Sequence, residues 1–177
     1  MVLTINTSPV MSAGPDATIC ETASPYTLSG ASASNYSTVL WTTDGTGTFN
    51  DAELVNPTYT PSQSDMEDVQ VVLTMTVTGD AACPVSTDQM VLTIWRQATA
   101  FAGVDTTLCA NTSYHVMDAH ATNYASVSWA VTQGTGTLTG ATTLAPTYVP
   151  DANETGAVIL TLTAQPIGNC PAVSDAV

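Results

Sequence analysis

The sequence predicts an all-β chain of two tandem β-sandwich domains. Three observations carry that prediction: a repeat spanning nearly the whole chain, apolar residues alternating with period two, and turn residues spaced between the alternating runs. The repeat is read residue against residue. Ala13-Gly14-Pro15-Asp16-Ala17-Thr18-Ile19-Cys20 returns as Ala102-Gly103-Val104-Asp105-Thr106-Thr107-Leu108-Cys109, an offset of 89. Asn35-Tyr36 returns as Asn123-Tyr124, and Trp41 as Trp129. Gly45-Thr46-Gly47-Thr48 returns as Gly134-Thr135-Gly136-Thr137, and Pro57-Thr58-Tyr59-Thr60-Pro61 as Pro146-Thr147-Tyr148-Val149-Pro150. Cys83-Pro84 returns as Cys170-Pro171. The order is kept and the offset drifts only between 87 and 89, which is duplication.

Within a repeat, Val39, Trp41 and Thr43 alternate with Leu40 and Thr42, and Leu73, Met75 and Val77 alternate with threonines. Each pattern puts one apolar face on a strand. Gly45-Thr46-Gly47 and Gly79-Asp80 read as turns. Strands are expected near residues 16–20, 25–31, 38–43, 47–50, 57–60, 69–78 and 86–94. About seven short strands in under a hundred residues is the pattern of an immunoglobulin-like sandwich. No long helical periodicity occurs; Ser62, a capping residue, opens at most one helical turn. Trp41 and Trp129 fall on the third strand, with apolar neighbours two residues away, and are expected in the two cores. Trp95 follows the last strand of repeat 1 and is expected at the repeat junction.

The boundaries follow from the repeat. Residues 1–12 are expected to be the last strand of a preceding repeat plus linker, 13–95 repeat 1, 96–101 a linker, and 102–177 repeat 2. Val2-Leu3-Thr4-Ile5 repeats Val91-Leu92-Thr93-Ile94, which closes repeat 1. Repeat 2 is expected to lack its own copy of this strand and so to present an open edge. That edge suits head-to-tail self-association by strand addition.

Charge excludes some functions. A single basic residue, Arg96, stands against 15 acidic ones, for a net charge of −14. Such a surface does not neutralise phosphates, so nucleic acid and anionic lipid are excluded as partners. No apolar run reaches the roughly 20 residues of a membrane-spanning helix.

The four cysteines fall two to a repeat. Duplication argues that a relation present in each unit is satisfied inside it, which predicts disulfides Cys20–Cys83 and Cys109–Cys170. These bridges require Cys20 to sit early on its strand, with residues 13–17 as linker. Disulfides imply an extracellular, oxidising location. Zinc is disfavoured: there is no Cys-x-x-Cys pair, and His115 and His120 have no counterparts in repeat 1.

The pattern Ala-Gly-x-Asp-x-Thr-x-Cys, then Trp with Gly-Thr-Gly-Thr, then Pro-Thr-Tyr-x-Pro, then Cys-Pro, resembles repeats of very large secreted proteins of the Bacteroidota. These are similar to immunoglobulin-like and PKD-like domains and include cell-surface and gliding-motility adhesins exported by the type IX system. PKD domains proper carry Trp-Asp-Phe-Gly-Asp-Gly, where this chain has Trp41-Thr42-Thr43-Asp44-Gly45. The resemblance implies a structural spacer that holds a distal binding region away from the cell surface. A carbohydrate- or protein-binding module is the alternative.

No Ser-His-Asp or Cys-His arrangement recurs in both copies, so no catalytic residue is assigned and an enzyme is not expected. Calcium is the candidate cofactor. Asp65, Glu67 and Asp68 are expected to meet Asp105 at the repeat junction, because clustered carboxylates suit hard cations. Tyr36 and Tyr124, the duplicated tyrosines, are the candidate binding residues for a glycan or protein ligand.

Overall fold

The computed structural model describes residues 1, 6–79 and 83–177, and it divides into two compact units, Met1–Arg96 and Gln97–Val177. The segment Val2-Leu3-Thr4-Ile5 and the turn residue Asp80 lie outside the described residues. The first unit runs β1 (Val10–Ser12), β2 (Ala17–Cys20), β3 (Tyr26–Thr27), β4 (Ser32–Ser34), β5 (Thr38–Thr43), β6 (Thr48–Phe49), β7 (Thr58–Thr60), α1 (Gln63–Asp68), β8 (Gln70–Thr78) and β9 (Ser86–Trp95). The second runs β10 (Thr99–Phe101), β11 (Tyr114–His115), β12 (His120–Thr122), β13 (Tyr124–Gln133), β14 (Thr137–Thr139), β15 (Thr147–Val149), β16 (Ile159–Pro166) and β17 (Val173–Ala176).

Unit 1 is a two-layer sandwich. One sheet has the order β2-β9-β8-β5 and the other β3-β7-β6, with β1 and β4 forming a short antiparallel ribbon. The alternation read from the sequence decides which side chains enter the core. Val39 and Trp41 of β5 are buried, as are Val71, Leu73, Met75 and Val77 of β8 and Met90, Leu92 and Ile94 of β9. They meet Leu28 and Tyr59 from the facing layer, and Phe49 packs its ring 5.0 Å from that of Tyr59. Burial at about 25 cal/mol per Å² of apolar surface makes these side chains the main stabilising term. β2 runs parallel to β9, with Ala17 beside Leu92 and Cys20 beside Trp95.

Unit 2 repeats the plan with sheets β13-β16-β17 and β11-β15-β14 and the ribbon β10-β12. Trp129, Tyr148, Leu160 and Leu162 occupy its core as Trp41, Tyr59, Leu73 and Met75 do in unit 1. Trp129 and Trp41 are thus both core residues. Trp129 donates its indole N–H to the carbonyl of Thr143 at 3.0 Å. Trp41 finds no such acceptor among the described residues.

Ser62 caps α1 as expected. Its hydroxyl accepts from the Asp65 backbone N–H, and Asp65 answers by accepting from the Ser62 N–H. The structure corrects the boundaries in one respect. Val10–Ser12, expected as linker, is strand β1 paired with β4, and Thr99–Phe101, also expected as linker, is strand β10 paired with β12. Both are three-residue strands of mixed burial, so their alternation is too short to separate from a linker.

The disulfide prediction is overturned. Cys83 and Cys109 carry free thiols, whereas Cys20 and Cys170 are disulfide-bonded, so neither Cys20–Cys83 nor Cys109–Cys170 forms. The reason is strand direction. Cys20 ends β2 level with Trp95, the last residue of β9, while Cys83 precedes the first residue of β9. Nine steps along a strand separate the two ends by about 30 Å, against the roughly 4–7 Å between Cα atoms that a disulfide tolerates.

Candidate functional site

The duplicated polar motifs assemble one structure in each unit. In unit 1 the Asp65 carboxylate is 1% exposed. It accepts from the backbone N–H groups of Thr46 (2.8 Å), Gly47 (2.9 Å) and Ser62 (3.0 Å) and from the Tyr59 hydroxyl (2.7 Å). The Gly-Thr-Gly-Thr turn, the tyrosine of Pro-Thr-Tyr-x-Pro and the cap of α1 are thereby tied to one side chain. A Cβ at Gly47 would lie 2.6 Å from this carboxylate, so the turn approaches only because that residue is glycine. Burial pushes the Asp65 carboxyl up. The bonds from Thr46, Tyr59 and Ser62 outweigh it and hold the group below its ordinary 3.8. The same burial, reinforced by the bond and charge of Asp65, raises the Tyr59 phenol to about 12 against the opposing bond to Thr43.

Unit 2 builds the same latch with Glu154. Its carboxylate accepts from Thr135 N–H (2.7 Å), Asp151 N–H (3.2 Å) and the Tyr148 hydroxyl (2.7 Å). The Thr135 and Tyr148 bonds hold Glu154 below its ordinary value. The longer side chain leaves the Gly136 N–H to the Tyr148 oxygen, at 2.9 Å.

This geometry corrects the calcium expectation. Asp65 faces inward and its oxygens are committed to four donors, so it is not a cation ligand. Glu67 accepts from Gln63 at 3.3 Å along the exposed side of α1. Among the described residues no three acidic, histidine or cysteine side chains, Asp68 and Asp105 included, form a metal-binding group. Other aspartates also serve the backbone: Asp88 accepts from Ala13 N–H and its counterpart Asp175 from Ala102 N–H, both at 2.8 Å.

Tyr36 is exposed, and Tyr124 is half-buried beside Pro166 on β13. The asparagine before each is held at positive φ, 54° at Asn35 and 52° at Asn123. The duplicated Asn-Tyr therefore marks a left-handed turn that asparagine tolerates. Tyr124 and Leu144 line a shallow hollow of about 580 Å³. His115 and His120 are exposed; His115 shares a hydrogen bond with Thr147 at 2.9 Å, and His120 packs on Phe101.

A concavity lies along the sheet edge of unit 2. β16 is paired by β13 on one side, but on the other it is paired only as far as Leu160, through β17 and Val177. Val177 stands level with Leu160 as Met90 stands level with Leu73. Residues 102–109 form no strand, although their counterparts in unit 1 include β2. A cavity of about 740 Å³ results, lined by Leu108, Cys109, Tyr148, Val158, Leu160 and Val177, among others. Leu108 is 44% exposed where its counterpart Ile19 is 8% exposed.

Comparison with solved structures gives the fold a context. Human protocadherin-24 domains EC1–2 superpose with a TM-score of 0.54 at 9% identity, covering 98% of this chain and 94% of that one. Immunoglobulin domains 1–5 of Sidekick-1 give 0.55 at 11% identity, covering 98% and 38%. Extracellular cadherin domains 3–6 of protocadherin gamma B2 give 0.53 at 13%, covering 96% and 45%. The chain is a pair of tandem immunoglobulin-like sandwiches. It spans less than half the length of the Sidekick-1 and protocadherin gamma B2 chains. At these identities the likeness is one of fold. No protein-family model matches the chain, and no curated protein matches it.

Proposed function

We propose that the chain is a pair of structural spacer repeats from a large cell-surface adhesin, extending a distal binding region away from the cell. The observation that carries this reading is how the duplicated polar residues are used. Gly-Thr-Gly-Thr, the Pro-Thr-Tyr-x-Pro tyrosine and the acid after it are consumed in both units by an internal latch. What duplication kept is what holds each sandwich shut. A repeat whose shared hydrogen-bonding network is internal suits a load-bearing element better than a ligand site, and it supports a non-catalytic role. The sandwich fold agrees with this reading, although such folds host many functions. Disulfide-bonded Cys20 and Cys170 support an extracellular location, and the sequence motifs support the Bacteroidota gliding-motility type of adhesin, exported by the type IX route. Its partners on this reading are neighbouring repeats and further copies of the chain.

The second reading, a carbohydrate- or protein-binding module, is favoured by exposed Tyr36 and by the Tyr124 hollow. A glycan array probed with the whole chain separates the two. The spacer reading expects no reproducible, saturable hit, and a hit lost on Tyr36→Ala or Tyr124→Ala would overturn it.

A further inference from the structure

We propose that Asp16 and Asp88 are the side chains through which unit 1 bears force: their carboxylates staple the segment before β2 to β9, so that a pull along the chain must shear one long register at once. On the spacer reading, on which this rests, tension enters the unit at its first strands and leaves it at its last.

The register is read directly from the bonds. β2 pairs with β9 in parallel, from Ala17 beside Leu92 to Cys20 beside Trp95. Before Ala17 a backbone ladder cannot continue. Pro15 has no N–H, and the Gly14 N–H donates to the Ser12 hydroxyl at 3.2 Å. Two carboxylates take over there. Asp16 accepts from the Val91 N–H and Asp88 accepts from the Ala13 N–H, both at 2.8 Å. The partners in both staples are 75 residues apart, as are those of the β2–β9 pair. The staples thus extend one parallel register from residues 17–20 to residues 13–20. One carboxylate comes from each side, so neither segment can slide without breaking both. The Asp88 staple is rebuilt in unit 2, where Asp175 accepts from the Ala102 N–H at 2.8 Å.

Direction decides what such bonds withstand. The residues before Ala13 lead away from one end of the register, and Arg96, after Trp95, leads away from the other. Tension between them lies along the strands and loads every bond together, whereas tension applied at one end breaks them in turn. Hydrogen bonds to a charged acceptor are the stronger kind, and forced unfolding is governed by the unfolding rate rather than by equilibrium stability. The Asp65 latch lies off this path, because its hydrogen bonds join residues 46–65 and reach neither β2 nor β9.

The test holds the whole chain by clickable residues placed at Ser8 and Arg96 and records the lifetime of unit 1 at constant force. Reductant is present, so that the pull runs through the backbone alone. Asp16→Ala and Asp88→Ala should each shorten that lifetime about tenfold, the scale of one charge-assisted hydrogen bond. Asp16→Asn, which keeps an acceptor oxygen, should recover part of the loss. Asp65→Asn should lower stability in denaturant yet leave the lifetime under force within about twofold of the wild type. Moving the second handle from Arg96 to exposed Val85, just before β9, leaves both staples in place. It should still shorten the lifetime about tenfold or more, because bonds broken singly share no load. A lifetime that does not depend on pulling direction, or that Asp16→Ala and Asp88→Ala leave unchanged, would overturn the proposal while leaving the spacer reading to the glycan array.

Discussion

Asp65 ties three separated stretches of unit 1 to a single carboxylate, and its environment sets how the unit responds to pH. Replacing it with asparagine keeps the shape but aims an NH2 group at backbone donors. Asp65→Asn should cost about 3 kcal/mol in denaturant unfolding, the scale of breaking a buried, charge-assisted network. The folded-state pKa of Asp65 is depressed, so the unfolded chain takes up the proton first. The stability it contributes is complete above its ordinary 3.8 and is lost as pH falls through the lower folded value. Glu154 is depressed in the same direction from 4.5 and adds to the same acid loss. The wild type should therefore lose stability on acidification below about pH 4, and Asp65→Asn should flatten the Asp65 part of that loss. Tyr59 acts at the other end. With its phenol raised to about 12, stability is full below pH 10 and falls as pH rises toward 12, and Tyr59→Phe removes that slope. The signal for the latch was present in the sequence, since Glu154 aligns with Asp65 and both follow a duplicated tyrosine. It was not legible as a latch because burial of a carboxylate depends on which turn folds over it. The calcium expectation read the same acid as solvent-facing.

At the scale of elements, the alternating runs made β5, β8 and β9 legible, because a buried face on a long strand leaves a period-2 record. The short ribbons β1-β4 and β10-β12 left none. Strand direction, a property of topology, is what defeated the cysteine pairing. Duplication shows which cysteines correspond, while only the parallel β2-β9 pair shows that Cys20 sits at the far end of its strand. Connections between elements carry a further contrast. α1 is capped at its C-terminal end by Val69, held at φ 69°, a left-handed conformation that costs a β-branched residue about 1 kcal/mol or more. Unit 2 places Gly156, at φ 102°, in the equivalent position. Val69→Gly should therefore raise the stability of unit 1 by about 1 kcal/mol, partly offset by the greater freedom of glycine in the unfolded chain. Thermal unfolding reads this directly; a lower Tm would mean that the Val69 side chain contributes more by packing than its backbone loses.

For the whole molecule, the two units share a plan and differ at one edge. Unit 1 closes its sheet with residues 91–95. In unit 2 residues 102–109 form no strand, and Leu108 and Leu160 line a cavity. The shared plan was legible from the repeated motifs, because residues that return in order at a nearly fixed offset name matching places in two sandwiches. The exposure of Leu108 was not, since it depends on what packs around it. What the units share is the latch, and hydrogen exchange tests it most directly. The backbone N–H groups of Thr46 and Gly47, which donate to Asp65, should be protected in the wild type and exchange fast in Asp65→Asn, while those of β8 stay protected. Protection of Thr46 and Gly47 that Asp65→Asn leaves unchanged would contradict the account.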